Sequence, residues 1–326
     1  MKILVTGGAG YIGSVVSAEL LGAGHQVVVY DNLSHGHRQA VPRGAEILTG
    51  EMGDREALDR AFQQHRPEAV MHFAALIEAG ESMQAPERYF RNNTASTLTL
   101  LEAMLQHGTR RLVFSSTAAL YGNPERTPIE EDAALRPTNA YGESKLLVER
   151  MLGWFHQIHG LRYASLRYFN AAGAAGELGE DHRPESHLIP LVLQVALGRR
   201  PGISVYGADY DTPDGTCVRD YIHVADLAAA HLLALDALAG RQQLIYNLGN
   251  GRGFSVRQVV EVARQVTGHA IPAKDAPRRP GDPAVLVASS EKIRRELGWQ
   301  RRYPELEQIV ASAWEWRRGH PDGYEK

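Results

Sequence analysis

Residues Thr6-Gly-Gly-Ala-Gly-Tyr-Ile-Gly13 follow an apolar run, Lys2–Thr6, and lead into a helical pattern; no other stretch restricts the fold as strongly. Gly7 permits a tight turn, Gly10 a close approach of the backbone to a pyrophosphate, and Gly13 close packing of helix on sheet, with the phosphates at the helix N-terminus. Alone, such a loop is also met as a structural turn. Asp31 adds the second half of the pattern, because it ends the apolar run Gln26–Tyr30, where a carboxylate can hold both hydroxyls of an adenosine ribose. Together they predict a bound dinucleotide. The same carboxylate repels a 2′-phosphate, which favours NAD over NADP despite Arg38 nearby.

Short apolar runs alternate with longer helical patterns through the first half, the signature of successive βαβ units. Strands are expected at Lys2–Thr6, Gln26–Tyr30, Glu46–Leu48, Ala69–Phe73, Arg111–Ser115 and Tyr163–Tyr168, and helices at Pro86–Leu105 and Ala140–Phe155. The fold class is α/β: a Rossmann-type doubly wound parallel sheet with a smaller C-terminal substrate lobe. Beyond Asn170 the Gly- and Pro-rich loops Ala171–Pro184, Gly207–Gly215 and Pro277–Pro283 break up shorter elements, while the helix Val224–Ala239 and strand Leu244–Leu248 are expected to return to the first domain. The expected division is 1–169 with about 222–250 for the nucleotide domain, and 170–221 with 251–326 for the substrate lobe.

At 326 residues the chain can form two lobes around a cleft. A net charge of −3 without a basic block points away from nucleic acid. Cys217 is the sole cysteine, which excludes an internal disulfide and a multi-cysteine zinc site and fits a reducing compartment. The chain enters a strand directly at its start, and no run approaches the roughly 18 apolar residues of a membrane span. The expectation is a soluble cytoplasmic protein. His35 and His37, in a Gly-rich loop without further ligands, read as solvated, so no metal is expected.

Tyr141 and Lys145 stand four apart in Tyr-Gly-Glu-Ser-Lys; on a helix they share one face. A neighbouring ammonium lowers a phenol from its ordinary pKa of about 10, which would make Tyr141 a base, although the spacing also recurs on helices without function. Phe114-Ser-Ser-Thr-Ala-Ala-Leu-Tyr-Gly122 places hydroxyls at the carboxyl end of a parallel strand, where ligands bind. Thr117 could bond a substrate hydroxyl and share its proton with Tyr141, or merely satisfy backbone groups.

In this order, the glycine loop, Asp31, the hydroxyl-bearing strand end and Tyr141/Lys145 resemble the extended short-chain dehydrogenase/reductase superfamily. The strings His72-Phe-Ala-Ala, Leu166-Arg-Tyr-Phe-Asn170, Leu188-Ile-Pro190, Val218-Arg-Asp-Tyr-Ile-His-Val224 and Arg279-Pro-Gly-Asp282 are similar to those of the UDP-glucose 4-epimerase family, nearly end to end. The resemblance implies catalysis by Thr117, Tyr141 and Lys145, the last two also touching NAD. It places further NAD contacts on Tyr11, Ile12, Asp31, Asn32, Phe73, Ala74, Asn92, Tyr168 and Phe169, and adenine recognition on Glu51 and Met52. UDP-sugar contacts fall on Asn170, Leu188, Tyr206, Arg219, Arg279 and Asp282, with His187 and Leu286 as further pocket positions. Arg219 and Arg279 can clamp a diphosphate and Asp282 can accept from ribose hydroxyls.

The chain departs from well-known members in carrying Thr117 for serine, Ile77 for lysine, Glu51 for aspartate, His187 for asparagine and Leu286 for tyrosine. The resemblance implies interconversion of UDP-galactose and UDP-glucose through a 4-keto sugar, and a homodimer formed through Pro86–Leu105 and Ala140–Phe155. Leu286, smaller than tyrosine, would leave room for UDP-N-acetylglucosamine. A 4,6-dehydratase would need Asp-Glu where this chain has Ala118 and Ala119, and a non-enzymatic dinucleotide sensor need not keep Thr117, Tyr141 and Lys145 together.

Overall fold

A computed structural model describes residues 1–279 and 282–324; Pro280 and Gly281, inside the Arg279–Asp282 string, lie outside the described residues. Strands β1 (Lys2–Thr6), β2 (Gln26–Asp31), β3 (Glu46–Thr49), β4 (Ala69–His72), β5 (Arg111–Thr117) and β6 (Arg162–Tyr168) join strand Gln243–Leu248 in one seven-stranded sheet. From one edge its order is 243–248, β6, β5, β4, β1, β2, β3, and every pair is parallel. A parallel sheet needs helices on both faces, so its strands are apolar on both sides. Accordingly Ile3, Leu4 and Val5 are all fully buried. Val15, Val16 and Leu20 of the helix Tyr11–Gly22 and Leu227 and Leu235 of the helix Val224–Ala237 cover one face. Leu58, Phe62, Leu101, Met104, Val148 and Leu152 cover the other.

The order reverses between β1 and β4, and a cleft opens at the carboxyl ends of strands at such a switch point. Its far wall is built from smaller sheets: strand Val218–His223 pairs with Asn170–Ala172, Gly253–Ser255 and Val285–Leu286, and Ile203–Tyr206 pairs with Ala273–Ala276. Their core gathers Ile189, Val192, Leu193, Val259, Val260, Ile309 and Trp314.

Several element ends shift by one to four residues, and two departures from expectation bear on the site. The helix expected over Pro86–Leu105 is a short turn Pro86–Tyr89, a wide π turn Phe90–Ala95 and a helix Ser96–Gln106. Asn93 explains the widening, since such bulges turn a side chain to other work: its Nδ2 donates to the Leu76 carbonyl at 2.9 Å and its Oδ1 accepts from the Leu76 N–H at 2.9 Å. Strand β5 also runs two residues further than expected, to Thr117, because β6 continues alongside it and pairs Thr117 with Tyr168.

Candidate active site

The cleft has a volume of about 640 Å³. Its nucleotide end starts at Gly7, held at φ +71°, where a Cβ would lie 2.5 Å from the Ala74 nitrogen; at Gly13 one would lie 2.2 Å from the Gly7 oxygen. Backbone packing therefore excludes side chains at both, and Gly10, with only the Gly7 oxygen near at 3.3 Å, borders open cleft. Buried Asp31 accepts from the Ala9 N–H at 3.0 Å on one carboxylate oxygen and from the Leu33 N–H at 2.8 Å on the other. Each oxygen keeps a further acceptor site, as a ribose diol requires. Burial raises the Asp31 pKa and these two N–H groups oppose the rise.

Asn32 donates to the Glu51 carboxylate at 3.1 Å, setting the rim beside Met52. Phe73, Ala74 and Asn92 line the opposite side, with Asn92 donating to Asn93 at 2.9 Å. Tyr11 and Ile12 lie on the first helical turn, where the Tyr11 hydroxyl is already committed to the Gly173 carbonyl at 2.6 Å. Backbone cradle, diol acceptor and rim together fit NAD.

Tyr141 sits in the first turn of the helix Ala140–His159, capped by Asn139, whose side chain accepts from the Gly142 N–H at 2.8 Å. An ion pair fixes this helix to the sheet: buried Arg167 of β6 meets buried Glu149 at 2.6 Å, and Ser116 of β5 donates to Glu149 at 2.6 Å. The Thr117 hydroxyl lies close enough to the Tyr141 phenol to lower its pKa, while its oxygen accepts from the Ala119 N–H at 3.1 Å. Lys145 lies on the same helical face but donates to the Ser115 carbonyl at 2.9 Å. This corrects one expectation. Burial raises the Tyr141 pKa, the Thr117 contact lowers it in part, and the Glu78 charge adds to the rise. Burial also pushes the Lys145 ammonium down to about 7. The Tyr168 hydroxyl bonds the Ser115 hydroxyl, and Phe169 and Asn170 continue into the cleft, with Asn170 donating to the Asp220 carbonyl at 3.0 Å.

At the far end Arg219 donates through one nitrogen to the carbonyls of Val218 at 2.9 Å and Pro283 at 2.8 Å, leaving the other 3.7 Å from Asp282. Arg279 stacks 4.0 Å over the Tyr206 ring. Leu188 opens the helix Leu188–Ala196 and faces the cleft. Leu286 is the exception among the expected residues. It is half-buried in the two-residue strand Val285–Leu286, paired with the cleft residue Arg219 but not itself among the residues lining the cleft.

His187 does line the cleft, but its Nδ1 bonds Glu180. Burial opposes the charge on this imidazole, yet the Glu180 carboxylate holds its pKa up at about 9. Glu180, His182 and Glu185, which surround it, were missed by sequence reasoning; the spacing Glu-x-His-x-x-Glu-x-His was the available signal.

The sheet, its glycine loop and the Thr117–Tyr141–Lys145 arrangement define an enzyme built on a dinucleotide-binding fold. The chain belongs to the NAD-dependent epimerase/dehydratase family, whose pattern matches residues 3–249. Within it the chain is similar to the UDP-glucose 4-epimerases. It is 57% identical over 325 residues to that of Streptomyces lividans, covering 99% of this chain and 98% of the relative, and 54% identical over 327 residues to that of Halalkalibacterium halodurans, covering 99% and 98%. The crystal structure of UDP-glucose 4-epimerase from Brucella ovis in complex with NAD superposes with a TM-score of 0.94 at 46% identity, covering 96% of this chain and 97% of that one. The chain is accordingly an isomerase with NAD as cofactor. Among the described residues no helix is long and apolar enough to cross a membrane.

Proposed function

We propose that this enzyme interconverts UDP-galactose and UDP-glucose at sugar carbon 4, with Tyr141 as the proton-transfer group. The observation that carries the reading is that Thr117 and Tyr141 line the same cleft that the glycine loop borders. NAD, when bound by Gly7–Gly13, Asp31 and the Asn32–Met52 rim, supplies a hydride acceptor and donor. Thr117 orients the 4-hydroxyl of the sugar, Tyr141 takes its proton as the carbon is oxidised to a ketone, and the same phenol returns a proton after the 4-keto sugar has presented its other face. Lys145 holds the helix against β5 and keeps a donor beside Ser115. Arg219, Arg279 and Tyr206 retain the nucleotide diphosphate while the sugar turns, with Asp282 accepting from the uridine ribose. No carboxylate occupies positions 118 and 119, where Ala118 and Ala119 open a short turn after Thr117, so the acid and base of a 4,6-dehydration are lacking there.

The same reading divides the chain into a nucleotide domain of 1–169 with about 222–250 and a UDP-sugar lobe of the remainder. It assembles the enzyme as a homodimer through the segments Pro86–Leu105 and Ala140–Phe155, the latter lying in a helix that continues to His159. Trp154 and Ile158 support the latter, being 62% and 65% exposed on one helix. The test of the role of Tyr141 is its replacement by phenylalanine, which keeps the ring and removes the hydroxyl. General acid–base groups contribute about 10²–10⁴-fold, so turnover falls at least about a hundredfold with NAD content unchanged; undiminished turnover refutes the role.

A further inference from the structure

Four side chains cluster at the wall of the cleft, and none of them transfers a proton or hydride in the epimerisation; His187 among them also borders the sugar pocket. We propose that Glu180, His182, Glu185 and His187 form a binding site for a divalent transition-metal ion of the zinc type. One ligand atom from each residue lies within 4.8 Å of all the others. His182 Nδ1 is 3.2 Å from one Glu180 oxygen and 4.0 Å from Glu185 Oε1, and His187 Nδ1 is 3.9 Å from the same Glu185 oxygen and bonded to Glu180. A tetrahedral ion with bonds of about 2.0–2.1 Å sets its ligands roughly 3.4 Å apart. The cluster needs only small adjustments to close on such an ion, and two imidazoles with two carboxylates are a donor set that suits zinc.

A second, independent observation points to a missing partner. Glu185 has a side chain only 5% exposed; its Oε1 accepts from the Ser186 and His187 N–H groups at 2.8 and 2.9 Å, which orients the carboxylate, and its Oε2 is buried with no hydrogen-bond partner. His182 Nδ1 is likewise buried without an aligned partner. Buried polar atoms are normally satisfied, so the Glu185 Oε2 orphan, beside a His182 Nδ1 whose 3.2 Å approach to Glu180 is not aligned for a hydrogen bond, calls for an explanation. The nearby arginines do not give it. Arg183 turns to Asp181 at 3.4 Å and to the Asp322 carbonyl at 2.8 Å. Arg317 donates to the backbone carbonyl of Glu180 at 2.7 Å and approaches Asp181 at 3.7 Å. Both cations therefore serve Asp181 and backbone rather than the two carboxylates of the cluster.

The segment is held from outside, as a preformed site requires. The Gly179 N–H donates to the Tyr324 hydroxyl at 3.0 Å, and the Tyr324 N–H donates to Asp181 at 3.1 Å. His187, 46% exposed on its side chain, leaves an entry path from the cleft. With four protein ligands the site is of the closed, structural kind. A bound ion would pin the stretch 180–187 that leads into Leu188, and so stiffen the wall against which the substrate lies.

The test is calorimetric titration of the chelator-treated full chain with ZnCl₂ alone, followed by the same titration of Glu185→Gln and His182→Ala. The expected result is one ion per chain, with affinity reduced at least about tenfold in each variant, since even partners outside the ligand shell cost 10–100-fold. Circular dichroism and NAD content show that the variants are folded. Should either variant misfold, Co²⁺ added to the wild-type chain decides: the strong visible absorption of four-coordinate cobalt supports the site, and the weak spectrum of the hydrated ion overturns it. Absence of saturable zinc uptake, or uptake undiminished in both folded variants, also overturns it.

Discussion

Lys145 donates its hydrogen bond to the carbonyl oxygen of Ser115, at 2.9 Å, rather than to the phenol of Tyr141 four residues before it. The ammonium thus completes the backbone at the end of β5 and sits buried, which pushes its pKa down to about 7. In the unfolded chain a lysine keeps its proton up to about pH 10.4. Between about 7 and 10.4 the unfolded chain therefore binds more protons than the folded one, and stability rises with pH across that window; below it both are protonated and the full cost of burying the charge is present.

Lys145→Met removes that titration while filling the same space. The melting temperature of wild type minus that of the variant, measured without NAD, should rise between about pH 7 and about pH 9, the range in which folded Lys145 loses its proton and unfolded lysine does not. A difference independent of pH would show that the pKa of Lys145 is not lowered by folding.

Asp31 sets cofactor choice. With its two oxygens already accepting from Ala9 and Leu33, the carboxylate is fixed in place and cannot turn away from a 2′-phosphate. Reconstitution of apoprotein should favour NAD over NADP in the wild type, and Asp31→Ala should narrow the preference by removing the repulsion. The ratio of the two dissociation constants measures it, and an unchanged ratio would place discrimination elsewhere.

The glycine loop, Asp31 and the six strands through Tyr168 were legible in the sequence because each depends on a local pattern: an apolar run, a punctuating glycine, a carboxylate at a strand end. What sequence left out depends on long-range contacts. The π turn at Phe90–Ala95 exists because Asn93 reaches back to Leu76, and nothing near Asn93 in sequence announces that partner. The direction of Lys145 was misjudged for a similar reason: helical spacing gave the shared face, but the nearest acceptor lies on β5. Leu286 shows the limit of reasoning by position, since the residue matched a pocket position while the structure places it beside the cleft residue Arg219 and not in the lining. Glu180 and His182 sat in the loop Ala171–Pro184, read only as Gly- and Pro-rich, and Glu185 just beyond it, although their spacing was visible.

The central claim is that one cleft holds its own cofactor and inverts sugar carbon 4. The most direct measurement is to incubate the purified protein with UDP-galactose, without added NAD, and identify the product by chromatography and NMR. The account predicts UDP-glucose, formed until the two sugars reach equilibrium, with no net reduction of cofactor. A 4-keto-6-deoxy sugar as the end product, or no conversion even after NAD is supplied, would contradict it.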